Sequence, residues 1–458
     1  MKRLLKNGLV YDPENELQAK YDILISEKEI IRVHENITES DIMAEGTKSK
    51  NDTMTGNVNK RENNNDELEI IDLEGKIVLP GLIDIHTHLR EPGFEEKETI
   101  KSGCEAAAAG GFTAVACMAN TNPVVDNPAT VEFINSRARE AVVKVFPVGS
   151  ITKGMKGEEL SEIGFMAREG VRALSEDGSS VKNSEIMRRA MEYAASFGMT
   201  IIDHCEDEDL AGEGVMNEGY YSTLLGLEPI PAVAEEIVLA RDLKLVELTG
   251  CPLHIAHLST SGGVELLAGA KEKGLPVTAE VTPHHLVLTE EAVRGYDPNT
   301  KVNPPLRSNK DRQVLREALK EGIIDVVATD HAPHTYEDKL GEYDLAANGI
   351  SGLETALSLI YDKLIKEDLM DWERIVEAMV YKPAQIIKRD ISGIQSGAQA
   401  DLTIFDPDKK WTVKPEKFKS KGRNTPFVGQ KLTGKTMLTL VDGQIVYDDR
   451  SGKNEIVY

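Results

Sequence analysis

The chain has 458 residues, with 77 Asp and Glu against 53 Lys and Arg, a formal net charge of -24 and a hydrophobic content of 40%. That length suits one barrel-sized domain and a smaller one, and the acidic balance argues against nucleic acid or an anionic membrane as partner. No apolar run approaches the roughly 20 residues that a membrane span needs.

The N-terminal run Met1-Lys-Arg-Leu-Leu-Lys6 passes straight into a strand pattern, with no apolar leader segment. Cys104, Cys117, Cys205 and Cys251 form neither a disulfide framework nor a CxxC pair. Reduced thiols and a cytoplasmic location are expected.

Short strands open the chain, over Leu4 to Val10, Tyr21 to Ser26 and Ile30 to His34, punctuated by Asn7-Gly8 and Glu27-Lys28. Residues 36–67 are rich in Ser, Thr, Asn, Lys and Glu, and a solvated, mobile insertion is expected there. Strands resume at Leu68 to Asp72 and Lys76 to Leu79.

Eight apolar runs follow: Leu82 to His86, Thr113 to Met118, Lys144 to Val148, Val171 to Ser175, Thr200 to His204, Leu253 to His257, Pro276 to Val281 and Asp325 to Thr329. Helical patterns separate them, among them Thr99 to Ala109, Ala129 to Ala141, Ser184 to Ala195, Ala232 to Thr249, Gly262 to Lys273 and Lys310 to Glu321. Val- and Ile-rich strands alternating with helices imply a parallel sheet, and eight units fit a (β/α)8 barrel. A doubly wound open sheet would carry a glycine-rich phosphate turn after its first strand, and none is present.

Gly352 to Ile365, Trp372 to Val380 and Pro383 to Ile387 read as helices. The pattern then returns to strands at Ala400 to Phe405, Met437 to Val441 and Gln444 to Tyr447, with Asp442-Gly443 as a tight hairpin turn. The expected division is therefore a barrel over 79–390 and a small β-sandwich domain assembled from both chain ends, 1–78 and 391–458.

Active sites of (β/α)8 enzymes lie at the C-terminal ends of the strands. In an extended segment, residues two apart share a face, so His86 and His88 point the same way, followed by Arg90. The other strand ends offer Asn120, Asp177, Asp203-His204, His257, Glu280 with His284-His285, and Asp330. Most of the ten histidines fall just after a predicted strand. Scattered histidines would not cluster so.

Each residue also has a plainer reading. Asp177 before Gly178 resembles an ordinary turn aspartate, and His204 a buried histidine bonded to backbone. His254 is read as a core neighbour, His284 and His285 as structural or supporting, and His34 as inert. Glu280 is expected to orient a metal-bound histidine. Asp330 has the least plausible plain reading, because an isolated buried carboxylate is costly. Four histidines and two carboxylates can hold two divalent ions with one carboxylate between them. Metals lower the pKa of water, and a neighbouring carboxylate can take its proton and pass it to a leaving nitrogen. That chemistry is hydrolysis of an amide-like bond, or its reverse.

These segments resemble the class I dihydroorotases of the amidohydrolase superfamily. The resemblance is carried by Pro80-Gly-Leu-Ile-Asp-Ile-His-Thr-His-Leu-Arg-Glu-Pro-Gly93, Met118-Ala-Asn-Thr-Asn-Pro123, Ser175-Glu-Asp-Gly178, His204-Cys-Glu-Asp207, Val302-Asn-Pro-Pro-Leu-Arg307, Ala328-Thr-Asp-His-Ala-Pro-His334 and Asn348-Gly-Ile-Ser-Gly-Leu-Glu354. It covers nearly the whole chain apart from the polar insertion. The resemblance implies two Zn2+ ions: His86, His88 and Asp330 on one, His204 and His257 on the other, with Asp177 and a hydroxide bridging them. Asp330 would also be the catalytic acid and base. Beside its metal role, His88 would contact substrate. Arg90, Asn120 and His334 would hold the substrate carboxylate, and Asn303 with the backbone of Asn348-Gly349 the ureide edge. The implied reaction is reversible cyclisation of N-carbamoyl-L-aspartate to L-dihydroorotate in pyrimidine synthesis.

Two positions depart from the family pattern. Ala119 stands where Pro is usual, and Asn348 where an aromatic residue is common. The nearest alternative is a hydrolase of neutral rings, such as an allantoinase or dihydropyrimidinase. Arg90 argues against it, as does Asp177 where a carboxylated lysine would be expected. A catalytically silent scaffold for aspartate transcarbamoylase is the alternative from another class, and all six candidate ligands argue against it. A homo-oligomer, and an active enzyme that also docks on the transcarbamoylase, are compatible with the sequence.

Overall fold

The computed structural model describes residues 2–48 and 68–458. All eight expected barrel strands form. Leu82–Thr87, Phe112–Cys117 and Lys144–Pro147 pair in parallel in that order. The third strand runs further than expected: Gly149–Ser150 continues it and pairs with Ala173–Ser175. Thr200–Asp203, Leu253–Ile255, Val277–Val281 and Val326–Val327 complete the order. A parallel bridge between Thr87 and His331 brings the last strand's end back to the first and closes the ring.

Strand alternation sorts the apolar residues into two cores. Ile83, Ile85, Ala114, Ala116, Ala173, Ile202 and Ala256 pack together with Ala384, Ile386 and Ile387 from the helix Lys382–Ile386 and the residue after it. Val115, Cys117, Leu174, Ile201, Ile255 and Ala279 pack instead in the larger cluster that includes the helices. Burying each of the Val, Leu and Ile side chains contributes about 1.5–3 kcal/mol, and each alanine methyl about 0.8 kcal/mol. The polar residues of the strands are left for the opposite, C-terminal ends.

Local signals set the helix starts. The Thr99 side chain accepts from the Ser102 amide ahead of Ile100–Gly110, and Asn183, Thr260 and Ser308 cap later helices in the same way. The helix expected over 352–365 begins only at Ala356 and ends in a π-type turn, Tyr361–Ile365.

A nine-stranded sheet joins the two chain ends. Ile77–Pro80 is the hinge between them: it pairs in parallel with Lys2–Asp12 and antiparallel with Leu402–Thr412. Leu5, Val10, Ile23, Ile25 and Ile71 from one end share an interior with Leu402, Ile404, Leu438 and Leu440 from the other, which gives the β-sandwich its core. Asp442 and Gly443 form the expected hairpin turn, both at positive φ.

Two expectations are corrected. Asn7-Gly8 does not separate strands; it is a bulge inside Lys2–Asp12, with Asn7 at φ 60° and the register shifting between Leu5 and Gly8. The expected mobile insertion begins with a helix, Glu39–Lys48, where Ile42 packs against Leu4, Leu24 and Ile37. One apolar contact orders a stretch whose composition reads as solvated. Residues 49–67 lie outside the described residues.

Candidate active site

His86 lies within the first barrel strand and is fully buried. Its Nδ1 faces Glu280 Oε1. Glu280, on the seventh strand, also meets His254 Nε2 at 3.1 Å and accepts the His257 amide at 3.1 Å. This carboxylate leaves His86 Nε2 pointing into the barrel mouth, 3.2 Å from Asp177 Oδ1 and 3.6 Å from Asp330 Oδ1.

His88 stands just past the same strand. Its Nδ1 donates to Asn120 Oδ1 at 2.9 Å, which fixes the ring so that Nε2 faces Asp330 Oδ1 at 3.1 Å and Asp177 Oδ2 at 3.3 Å. Asn120 also donates to the Asp177 carbonyl at 3.2 Å. Much of its amide therefore serves to position metal-side residues. On the other side of Asp177, Oδ1 lies 3.4 Å from His257 Nε2 and 3.8 Å from His204 Nδ1.

Asp177 is thus shared by two donor groups that could each hold a cation: His86, His88 and Asp177, and Asp177, His204 and His257. Within each group the donor atoms lie within 4.8 Å of one another. His86 Nε2 and Asp177 Oδ1 are buried without a hydrogen-bond partner. Such orphans each cost about 1–3 kcal/mol unless something binds them. The electrostatics agree. Burial opposes charge on His86, but Asp177 and Glu280 outweigh it and hold its pKa well above the ordinary imidazole value. Burial likewise opposes charge on His204, yet Glu206 and Asp177 raise it to about 9. Asp177 is buried, but His86, His257 and His88 push it well below the usual carboxylate range. The cluster demands positive charge, and imidazoles with one shared carboxylate suit borderline divalent metals.

His257 departs from its expected place inside a strand, and Asp330 stands further past its strand than expected. The sixth strand ends at Ile255 and the eighth at Val327, so both residues stand beyond the ends. Asp330 has φ 46°, His257 φ 32° and Arg90 φ 63°. Left-handed backbone at a residue other than glycine costs about 1–3 kcal/mol and gathers at functional sites. Arg90 reaches the site through this turn, not through strand alternation, which stops at Thr87.

Opposite the histidines, a cleft of about 200 Å³ is lined by His88, Arg90, Asn120, Asp177, Gly178, His204, His257, Asn303, Asp330, Ala332, His334, Asn348 and Gly349. Every predicted metal and substrate residue except His86 lines it, and His86 sits directly behind. The Arg90 guanidinium donates from Nε to the Pro333 carbonyl at 3.3 Å and has no carboxylate within 4 Å among the described residues. His334 donates from Nε2 to the Asn348 carbonyl at 2.8 Å. Burial, Arg90 and Lys97 depress its pKa to about 3, so it is neutral. An unpaired guanidinium beside a neutral imidazole makes an anion corner.

The chain is similar to known proteins over its full length. A family model described as Dihydro-orotase-like matches residues 75–262. The dihydroorotase of Caldanaerobacter subterraneus subsp. tengcongensis is 50% identical over 448 residues, 98% of this chain and 97% of that one. That of a Thermoanaerobacter species is 49% identical over 459 residues, with both chains covered completely. The chain belongs to the dihydroorotase family. Dihydroorotases are cyclic amidohydrolases, and solved relatives carry the same fold. A dihydropyrimidinase from Brevibacillus agri superposes with a TM-score of 0.80 at 22% identity, covering 98% of this chain and 96% of that one. An L-hydantoinase from Arthrobacter aurescens gives 0.82 at 25%, covering 100% and 97%. No helix among the described residues is long and apolar enough to cross a membrane.

Within this dihydroorotase site, several residues escaped sequence reasoning. Glu206 lies 3.9 Å from His204 Nε2 and accepts from Asn303 Nδ2 at 3.2 Å. It was legible in principle, two residues past a strand-end histidine. Asp84 is buried in the first strand and accepts the amides of His86 at 3.0 Å and Thr329 at 3.2 Å. Burial raises it to about 7. The cost argument applied to Asp330 would have found it. His284 and His285 are buried off the cleft, with His285 bonded to Thr282 and to the Pro304 carbonyl. His34 is exposed beside Asn36.

Proposed function

We propose that this dihydroorotase interconverts N-carbamoyl-L-aspartate and L-dihydroorotate, with two Zn2+ ions held by His86, His88, Asp177, His204, His257 and Asp330. The single observation that carries the reading is the placement of the unpaired Arg90 guanidinium in the same cleft as the shared-carboxylate histidine cluster. A ring bearing a carboxylate needs both. Neutral rings need only the cluster.

When bound, the two ions would polarise the ring carbonyl and lower the pKa of water beside it. The protein's own part is positional and protic. Arg90, with the free edge of Asn120, fixes the ring carboxylate, and His334 joins it by turning its Nε2–H from the Asn348 carbonyl to the substrate. Asn303 and the Asn348-Gly349 backbone hold the ureide edge. In ring opening, an Asp330 carboxylate oxygen takes the proton from attacking water and delivers it to the leaving ring nitrogen. In cyclisation the same oxygen accepts the ureido N–H proton. Glu280 and Asn120 keep the Nε2 atoms of His86 and His88 turned inward throughout.

Four buried free cysteines accord with a reducing, cytoplasmic setting. Self-association and docking on aspartate transcarbamoylase are compatible with this reading. Elemental analysis of the purified protein tests the metal part: about two zinc ions per chain are expected, as in a bridged pair. One ion, or a different metal that alone supports turnover, would contradict it.

A further inference from the structure

The C-terminal half sends residues 419–425 back onto the barrel mouth. Asn424 is 4% exposed and makes a complete set of bonds there. Its Nδ2 donates to the Ala332 carbonyl at 2.9 Å and to the Gly349 carbonyl at 3.0 Å. Its Oδ1 accepts from the His334 amide at 3.0 Å and from Ser351 Oγ at 2.9 Å. Its main-chain carbonyl accepts the Ser351 amide at 2.8 Å. A side-chain amide has two donor and two acceptor positions, and all are used. A flipped amide would set its oxygen against two carbonyls, so the orientation is dictated.

These partners bracket the anion corner. Ala332 and His334 flank Pro333, whose carbonyl holds Arg90. Gly349 follows Asn348, whose carbonyl holds His334. The segment is itself anchored. Glu98 accepts the Lys421 amide at 3.2 Å and bonds Ser420 Oγ and, at 3.4 Å, His331. Glu354 accepts the amides of Lys419 at 2.7 Å and Ser420 at 3.2 Å. A Cβ at Gly422 would lie 2.3 Å from Pro333 Cβ, so this glycine lets the two segments touch.

We propose that Asn424 is a positioning residue that ties the 332–334 and 348–351 loops together and so sets the place of Arg90 and His334 for the substrate carboxylate. The proposal rests on the functional reading above in taking that corner as the carboxylate site. Asn424 touches no substrate; it acts through the two loops. The segment carrying it comes from outside the barrel, so the small domain's half of the chain helps determine substrate affinity.

The test compares wild type with Asn424→Asp and the milder Ser351→Ala, using zinc-loaded protein and L-dihydroorotate. Asn424→Asp keeps the shape but loses at least one donor to a buried carbonyl, and when ionised it repels both. KM for dihydroorotate should rise about tenfold or more, with kcat within about threefold and zinc content unchanged. Ser351→Ala should raise KM about two- to threefold. Hydrogen exchange at the amides of 332–335 and 348–351 should quicken in both variants. Equal losses of kcat, zinc and stability would reduce Asn424 to a fold residue and overturn the proposal. If wild type fails to turn over dihydroorotate, the functional reading falls separately. Exchange still decides the tether, and unchanged exchange overturns it.

Discussion

The two walls of the cleft are built on different principles. The histidine wall stands on or just after buried parallel strands, and one carboxylate, Glu280 on the seventh strand, faces His86 Nδ1 and accepts the His257 amide. The anion wall stands on loops, and its residues are held by single hydrogen bonds to carbonyls and by the returning segment at Asn424. The first wall inherits its geometry from the barrel. The second is assembled from parts far apart in the chain. Chemistry that tolerates little misplacement sits on the strand-borne wall, and recognition sits on the loop-borne one.

Removing Asp330, the proposed proton carrier, should break the histidine wall's function most. Asp330→Asn keeps the size of the side chain but cannot accept a proton; kcat in both directions should fall about 10²–10⁴-fold. A variant with nearly full turnover would move the acid-base role elsewhere. On the anion wall, Arg90→Met should raise KM for dihydroorotate about a hundredfold, while leaving any turnover of a neutral ring unaffected. Equal losses on charged and neutral rings would erase the distinction between the walls. Glu280→Gln sharpens it from the other side. Zinc affinity, measured by competition with a chelator, should weaken about 10–100-fold, with KM for substrate at restored zinc nearly unchanged.

The smallest effect concerns the base of the loop wall. Burial raises Glu354 from 4.5 to about 8, against the amides of Ser420 and Lys419. The folded state therefore keeps a proton that the unfolded chain releases near its ordinary value. Between those values the unfolded state binds fewer protons, so stability falls as pH rises through that window and then levels off. Glu354→Gln should remove this fall: its Tm should match wild type near pH 5 and exceed it by a few degrees at pH 8–9. Parallel pH curves for the two proteins would show that Glu354 is not the group responsible.

The difference between the walls also explains what the sequence disclosed. Barrel strands and the residues at their ends are local: a Val- and Ile-rich run ending in His86 or His204 announces both the element and its terminus. The loop wall is not local. Asn424 lies 73 to 92 residues from its partners, and nothing in Lys421-Gly-Arg-Asn424 indicates which loops it joins. Asn120 was read as a substrate contact because its motif resembles the family's; its bonds to His88 and the Asp177 carbonyl depend on packing between strands. Asn7-Gly8 was read as a turn because φ > 0 suits a turn, but a bulge requires the same backbone. The helix over Glu39–Lys48 was hidden by a polar composition that one contact from Ile42 overrides.

The central claim is that a carboxylate-reading corner and a paired-cation cluster serve one ring. The most direct test is ring opening by the zinc-loaded protein, with L-dihydroorotate, hydantoin and allantoin as parallel substrates. Turnover of dihydroorotate, with none of the two neutral rings, is the predicted result. Turnover of a neutral ring in preference to dihydroorotate would contradict the assignment of Arg90, and with it the account of the cleft.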